Sequence, residues 1–420
     1  MNAKAPARLL AIMGSGETSP TMVTTHKQLL ERVGPPPVPA VLLDTPFGFQ
    51  ENADELSARA VSYFEHNVGA SLDVASFRSA GDAADTLAYE RTLNQLRAAR
   101  YVFAGPGSPS YALAQWSDSG IPAILADKLD GGGCVCFASA AALTLGLLTV
   151  PVYEIYKVGA PVHWLEGLDL LSRAGLRAAV IPHFNNAEGG THDTRFCYLG
   201  ERRLALLEEQ MPDDSVVLGV DEHTGCILDL ANGTATVVGL GVVTVRRRGV
   251  TQELAAGSEV KIEELGEMAA GAAPGPITAP AASPPSEDAS PRQTPLMETI
   301  LTRRDEFGAA LSGRDLPAAI RAALDLDDEL AAWAADPTQS DELDRGRAAL
   351  RSMVVALGEA AAGARDPREV VGPFVELALR QRDRARQERR WADADSLRDG
   401  LTALGVEIHD TPDGTDWELS

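Results

Sequence analysis

Side chains of the three kinds that together cleave acyl bonds stand just beyond short apolar runs. Ser139 follows Gly133–Ala138, His183 follows Ala178–Pro182, and Asp221 and Glu222 follow Val216–Val220. A serine among small residues at a sharp strand-to-helix turn is the physical content of a nucleophile elbow. The small neighbours permit the turn, and a helix N-terminus favours negative charge beside the hydroxyl. An N-cap serine needs the same place, so Ser139 alone leaves both readings open. A hydroxyl nucleophile needs a base, and the base needs an orienting carboxylate. Ser, His and an acid at three strand ends supply that set. The turn Gly105-Pro106-Gly107-Ser108-Pro109-Ser110-Tyr111 follows Tyr101–Ala104. Its glycines let backbone amides approach an oxyanion, with the amides of Gly107 and Ala140 as candidates, although strand-to-helix turns contain Gly and Pro for conformational reasons alone.

The runs that must carry these residues are short and strand-like: Arg8–Met13, Val38–Leu43, Tyr101–Ala104, Gly133–Ala138, Ala178–Pro182 and Val216–Val220. Continuous apolar runs predict strands buried on both faces of a parallel sheet. Helical stretches at Asn52–Asn67, Asp85–Arg97 and Arg202–Gln210 lie between several of them, which is the α/β alternation. Cys226–Leu230, Thr234–Val238 and Val242–Val245 are separated by short turns and read as an antiparallel extension. Ligands bind beyond the carboxyl ends of parallel strands, so the three chemical residues are expected to converge at one edge of one sheet.

Other polar groups surround this set. Lys157, His163, His192 and Arg195 could line a pocket for a carboxylate or phosphate, or belong to a solvated loop. Ser108, Asn185 and Asn186 complete the candidate substrate-binding set. His183, His192, Asp193 and Cys197 lack a recognisable metal-ligand spacing, and neither metal nor cofactor is expected. Gly14-Ser15-Gly16-Glu17-Thr18 is not a P-loop, because no Gly-Lys-Ser/Thr follows; it borders the same crevice or makes a plain turn. Cys134 and Cys136 read as small buried thiols.

Composition narrows the function classes. The chain has 420 residues, 45% hydrophobic, with Lys+Arg 37 against Asp+Glu 60 and a net charge of -23. That argues against broad electrostatic clamping of nucleic acid or an anionic membrane. No run is apolar and long enough to span a bilayer, and the first residues lack a secretory h-region, so a reduced cytoplasmic protein is expected. Residues 251–295, rich in Ala, Pro, Gly and Ser, read as a linker between a domain over 1–250 and one over 296–420. The second segment holds 16 Arg against 26 Asp and Glu, a net of -10, with helical runs at Met297–Ser312, Leu316–Ala334, Asp341–Ala362 and Pro373–Leu404. Arg380, Arg382, Arg384, Arg386, Arg389 and Arg390 form the candidate nucleic-acid footprint, or a solvated face with acidic partners. Val406–Asp410 and Thr415–Leu419 around Pro412-Asp413-Gly414 read as a hairpin.

Both halves carry resemblances. From about Leu9 to Val245 the chain resembles the cyanophycinase and dipeptidase E serine peptidases. Gly105-Pro-Gly-Ser-Pro-Ser-Tyr-Ala-Leu is similar to their G-G-G-N turn, and Gly131-Gly-Gly-Cys-Val-Cys-Phe-Ala-Ser139-Ala-Ala-Ala to their stretch ending in S-A-G-A. Pro182-His183-Phe184 resembles (D/P)-x-H-(F/Y), and Gly219-Val-Asp-Glu222-His-Thr resembles G-I-D-E-x-T. The resemblance implies a class I glutamine-amidotransferase-like fold with Ser139 as nucleophile, His183 as base and Glu222 as the third member. Ala141 replaces a Gly and Ser108 an Asn or acid, which points away from poly-aspartyl-arginine or a plain Asp-X dipeptide as substrate. The stretch from Ala378 to Leu401, continuing through Gly405-Val-Glu-Ile-His-Asp410-Thr411-Pro412-Asp-Gly414-Thr415-Asp-Trp417, resembles the end of cysteinyl-tRNA synthetase. H-I-G-H, K-M-S-K-S and a cysteine-binding zinc set are absent, so synthetase activity is not expected.

The favoured expectation is a serine hydrolase acting on a small amino-acid-like or peptide-like substrate, fused to a helical module that contacts tRNA or a protein. The alternative is a non-catalytic ligand-binding scaffold with the same module. Hydrolysis of an acyl group carried on tRNA, or of a cysteine-containing conjugate, would join the halves, and a homodimer stays open.

Overall fold

The computed structural model describes residues 6–187, 192–268, 295–334, 342–363, 367–411 and 414–419. The chain divides into two compact units, residues 1–302 with 325–347 and residues 303–324 with 348–420.

The first unit is built on strands β1 Arg8–Met13, β2 Ala40–Leu43, β3 Asp73–Ala75, β4 Tyr101–Ala104, β5 Gly133–Ala138, β6 Leu148–Thr149, β7 Leu165–Glu166, β8 Ala178–Ile181, β9 Val216–Val220, β10 Thr224–Asp229, β11 Thr234–Gly239, β12 Val242–Arg247, β13 Val250–Ala255 and β14 Glu259–Lys261. One sheet has the order β14-β11-β10-β1-β5-β4-β2-β3, the other β13-β12-β9-β8-β6-β7. In the first, β1, β5, β4, β2 and β3 are parallel, and β10, β11 and β14 extend it antiparallel. In the second, β6, β8 and β9 are parallel, with β12 antiparallel to β9 and β13 to β12.

The continuous apolar runs are explained by layers on both faces. Alternate side chains of a strand point to opposite sides. Leu10, Ile12, Val102, Val135 and Phe137 enter one core, shared with Leu93 and Leu96 of α3 (Thr86–Ala98), Trp116 of α4 (Pro109–Trp116) and Leu125 of α5 (Ile121–Gly131). Leu9, Ala11, Tyr101, Phe103 and Cys136 enter the other, shared with Leu29 and Leu30 of α1 (Val23–Val33) and Tyr63 of α2 (Ala53–Tyr63).

Three expectations are corrected. The strands ahead of His183 and Glu222 are not in the sheet of β5 but in the second sheet. The chain leaves the first sheet after β5 and builds β6 to β9 in the second; it returns at the turn after β9, where His223 has φ 52, so β10 pairs with β1 rather than β9. The stretch read as the start of a linker is structured: Val250–Ala255 and Glu259–Lys261 are edge strands, and after α6 (Ser139–Leu143) and α7 (Gly200–Glu208), Ile262–Glu267 forms α8, which buries Ile262 and Leu265 in the core. Its polar, exposed strand residues hid the pattern. The rest of that expected linker, 269–294, lies outside the described residues.

The third correction concerns the C-terminal helices, which are α9 Pro295–Ser312, α10 Leu316–Trp333, α11 Glu342–Gly363, α12 Pro367–Gln387 and α13 Trp391–Ala403. The run expected as one helix over Pro373–Leu404 is two, because Arg389 turns left-handed at φ 58 and Arg390 caps α13. Strands β15 Val406–Thr411 and β16 Gly414–Leu419 form the hairpin. Val375 and Leu379 of α12 pack with Val406 and Trp417 in a small core.

Candidate active site

Ser139 is the first residue of α6 (Ser139–Leu143) and has φ 48. Positive φ in a residue with a Cβ is strained, and such strain is held at sites that need it. Ala138, not Ser139, occupies the cap position, so the N-cap reading does not describe this serine. The Ser139 Oγ instead lies 2.8 Å from His183 Nε2. His183, with φ 47, directs Nδ1 to Glu222 Oε1 at 3.0 Å. A carboxylate accepts only, so Nδ1 carries the proton and Nε2 is left to accept from the serine hydroxyl. Asp221, the other acid in the pair, accepts the amide of Val242 at 3.0 Å.

Ser139 is buried, while His183 and Glu222 are partly open to solvent. Burial works to raise the Glu222 carboxyl, but the His183 hydrogen bond and charge, the Asn186 hydrogen bond and the His223 charge outweigh it and hold it below its ordinary value. The glycine turn folds against the same region. Gly105 O accepts the Ala141 amide at 3.2 Å, and Gly107 has φ 136 with Pro46 O only 2.0 Å from where a Cβ would sit. Ala140 lies in the first turn of α6, where an amide has no acceptor within its helix.

The first glycine motif, left open by the sequence, makes room for the acid. A Cβ on Gly14 would lie 2.0 Å from Asp221 O, and one on Gly16 (φ 67) would lie 2.2 Å from His223 Nδ1. Gly219 likewise leaves space for the Phe184 ring. Gly14 and Gly16 let the turn carrying Glu222 close on the end of β1, and Gly219 lets Phe184, next to His183, pack on β9. The visible signal was only two glycines after a strand.

The substrate-binding set divides. Ser108 Oγ caps α4 by accepting the Tyr111 amide and meets Ser110 Oγ at 3.1 Å; Ser110 in turn donates to Glu154 Oε1 at 2.5 Å. Asn185 Oδ1 accepts the Glu222 amide at 2.8 Å, and Asn186 Nδ2 donates to Glu222 Oε1 at 3.3 Å. Each cationic candidate has a neighbour of its own. Arg195 is committed to Asp193 through two hydrogen bonds of 2.9 and 2.8 Å, Lys157 sits 5.0 Å over the Tyr153 ring, and His192 stacks near Tyr156. His163 meets the Pro161 carbonyl on the surface. Bonding to Arg195 holds Asp193 down to about 2, and burial pushes the Cys197 thiol up to about 12.

The arginine cluster is also divided, and Arg382 is a correction. Its side chain is buried and grips Asp410 of β15 with two bonds of 2.8 Å, tying α12 to the hairpin rather than facing nucleic acid. Arg386 reaches the same carboxylate at 3.3 Å. Arg384 and Arg390 pair with Glu388, Arg390 also with Asp393, and Arg380 lies 3.9 Å from Glu376. The exposed members are largely compensated by acids.

Residues 374–417 match the model of the cysteinyl-tRNA ligase anticodon binding domain. The chain is 34% identical over 134 residues to the cysteine–tRNA ligase of Deinococcus radiodurans, covering 30% of this chain and 27% of that protein. It is 37% identical over 123 residues to that of an Arthrobacter species, covering 27% and 24%. The chain thus spans about a quarter of the length of these relatives. A solved peptidase from an acI-B1 actinobacterium superposes with a TM-score of 0.50 at 21% identity, covering 61% of this chain and 97% of that one, a likeness of fold. Among the described residues no helix is long and apolar enough to cross a membrane. The chain therefore combines an α/β domain with a peptidase-like fold and a C-terminal segment similar to the anticodon-binding end of cysteine–tRNA ligases.

Proposed function

We propose that the sheet domain is a serine hydrolase acting on an amide, peptide or ester bond of a small amino-acid-like or peptide-like substrate. The observation that carries this reading is the continuous contact from Ser139 Oγ through His183 to Glu222. Ser139 attacks the acyl carbon while His183 Nε2 takes its proton. Glu222 keeps the imidazole in the required tautomer and stabilises the imidazolium. The amides of Gly107 and Ala140 receive the developing oxyanion. The proton on His183 then passes to the leaving group, and water repeats the cycle to release the acyl enzyme.

The test is a panel of dipeptides, aminoacyl amides and aminoacyl esters assayed for amine or alcohol release, with Ser139→Ala alongside. Turnover of one class by wild type, lost in the variant, supports the reading. Equal turnover by both overturns it, and no turnover across the panel favours the ligand-binding scaffold.

A second role belongs to the C-terminal segment, favoured by its match to an anticodon-binding domain. We propose weak tRNA contact through Arg380, Arg384, Arg386, Arg389 and Arg390, with Arg382 acting as an internal clamp. A net charge of -23 opposes this binding at long range and makes it steeply salt-dependent.

A further inference from the structure

We infer that Asn186 is a positioning residue for the proposed hydrolase, holding the Glu222 carboxylate in line with His183, and that Asn185 completes the hold by fixing the Glu222 backbone. The inference rests on the reading of Ser139, His183 and Glu222 as catalytic. Asn186 is fully buried, so it does not touch substrate, yet it meets both other partners. Its side-chain Nδ2 donates to Glu222 Oε1 at 3.3 Å, the oxygen that also accepts from His183 Nδ1. Its backbone amide donates to the His183 carbonyl at 3.1 Å. Asn185 Oδ1 accepts the Glu222 amide at 2.8 Å. Both carboxamide orientations are fixed by their partners, since a carboxylate requires the NH2 face and an amide N–H the carbonyl face.

The sequence gives the physical need. Glutamate has one more rotatable bond than aspartate, and Asp221, the shorter acid, is occupied by Val242. A longer acid at a turn reaches the base reproducibly only if both its ends are tied. The adjacent asparagines tie the backbone end and the carboxylate end from the loop that carries His183. A loop and a turn from neighbouring strands β8 and β9 thereby move as one.

The test follows the rate at which a fluorophosphonate probe labels Ser139 in the full-length protein, between pH 5 and 9, for wild type, Asn186→Ala and Asn186→Asp. Asn186→Ala should lower the plateau rate about tenfold or more, the scale of losing a hydrogen bond to a charged group. Asn186→Asp is nearly isosteric and adds a carboxyl beside Glu222 and His183. It should move the acid limb of the rate profile upward by about one pH unit, because a neighbouring negative charge raises both pKa values. A residue that only fills the core would lower the melting temperature and leave the profile of the folded fraction unchanged. That outcome in Asn186→Asp overturns the inference, and it decides the matter even if Asn186→Ala does not fold. Failure of wild type to label at Ser139 overturns the hydrolase reading itself, and the inference with it.

Discussion

Replacing Gly14 by Ala should damage the domain and the site together. The added Cβ would lie 2.0 Å from Asp221 O, 2.6 Å from Val220 O and 2.7 Å from Asp221 C, where ordinary contact begins at 3.4 Å. All three atoms are backbone, so no side chain can swing away. Either β1 or the turn after β9 must shift by more than an ångström. The Gly14 amide also donates to Thr224 O at 2.9 Å, and that bond strains in the same movement. Overpacking of this kind costs about 1–3 kcal/mol, and a domain of this size loses roughly 2–4 °C of Tm per kcal/mol. The displaced turn holds Glu222, the proposed third member of the triad, and misplacement of such a group by about 1 Å can cost about a hundredfold in rate. Differential scanning calorimetry and the rate of Ser139 labelling measure the two effects on one sample. A Gly14→Ala protein with an unchanged Tm and an unchanged labelling rate would refute the close approach of β1 to the Glu222 turn.

Arg382→Gln should destabilise the C-terminal segment by about 1.5–3 kcal/mol, since it removes a two-pronged charged bond to Asp410, and chemical denaturation followed by Trp fluorescence checks it. Arg384 and Arg390 replaced together by Gln should leave stability nearly intact but reduce the salt slope of tRNA binding in fluorescence titrations; no binding by wild type at low salt sinks the tRNA reading. Asp193 titrates near 2 in the folded chain against an ordinary 3.8, because Arg195 favours its charged form. Its folded pKa is depressed, so its stabilisation is present above about pH 4 and lost as pH falls toward 2. Asp193→Asn should therefore be less stable than wild type at pH 7, with the difference closing between about pH 4 and 2 in acid-unfolding curves. The four cysteines are free and buried, with burial raising all four thiols, so an aromatic disulfide reagent should titrate none at pH 8 in the native protein and four in guanidinium.

The α/β alternation was legible because β1, β4, β5, β8 and β9 are continuous apolar runs buried on both faces. The stretches after β5, β8 and β9 pointed to Ser139, His183 and the acid pair Asp221 and Glu222 for the same reason, that chemistry collects where buried strands emerge, and only the family resemblance singled out Glu222. What stayed hidden depends on contacts distant in sequence. Nothing local distinguishes Asn185 and Asn186 as supports of Glu222 from residues lining a pocket, because their partner lies more than thirty residues away. The division into two sheets is set by pairings between strands far apart in sequence: the chain leaves the first sheet after β5, returns to it at β10 through the left-handed His223, and leaves it again for β12 and β13. Arg382 sits among five other arginines, and only the burial of its side chain and the position of Asp410 separate the clamp from the exposed face. The edge strands β13 and β14 are exposed and polar, so composition grouped them with the Pro-rich stretch beyond.

In the proposed hydrolase Ser139 is made nucleophilic by His183. This activation is tested most directly by treating the full-length protein with a fluorophosphonate at pH 8 and locating the adduct by intact mass and peptide mapping. One adduct per chain is expected, on Ser139, formed at least about a thousandfold more slowly in His183→Ala, the scale on which loss of such a base acts. An unlabelled chain, an adduct on another residue, or equal labelling of the His183→Ala protein would contradict it.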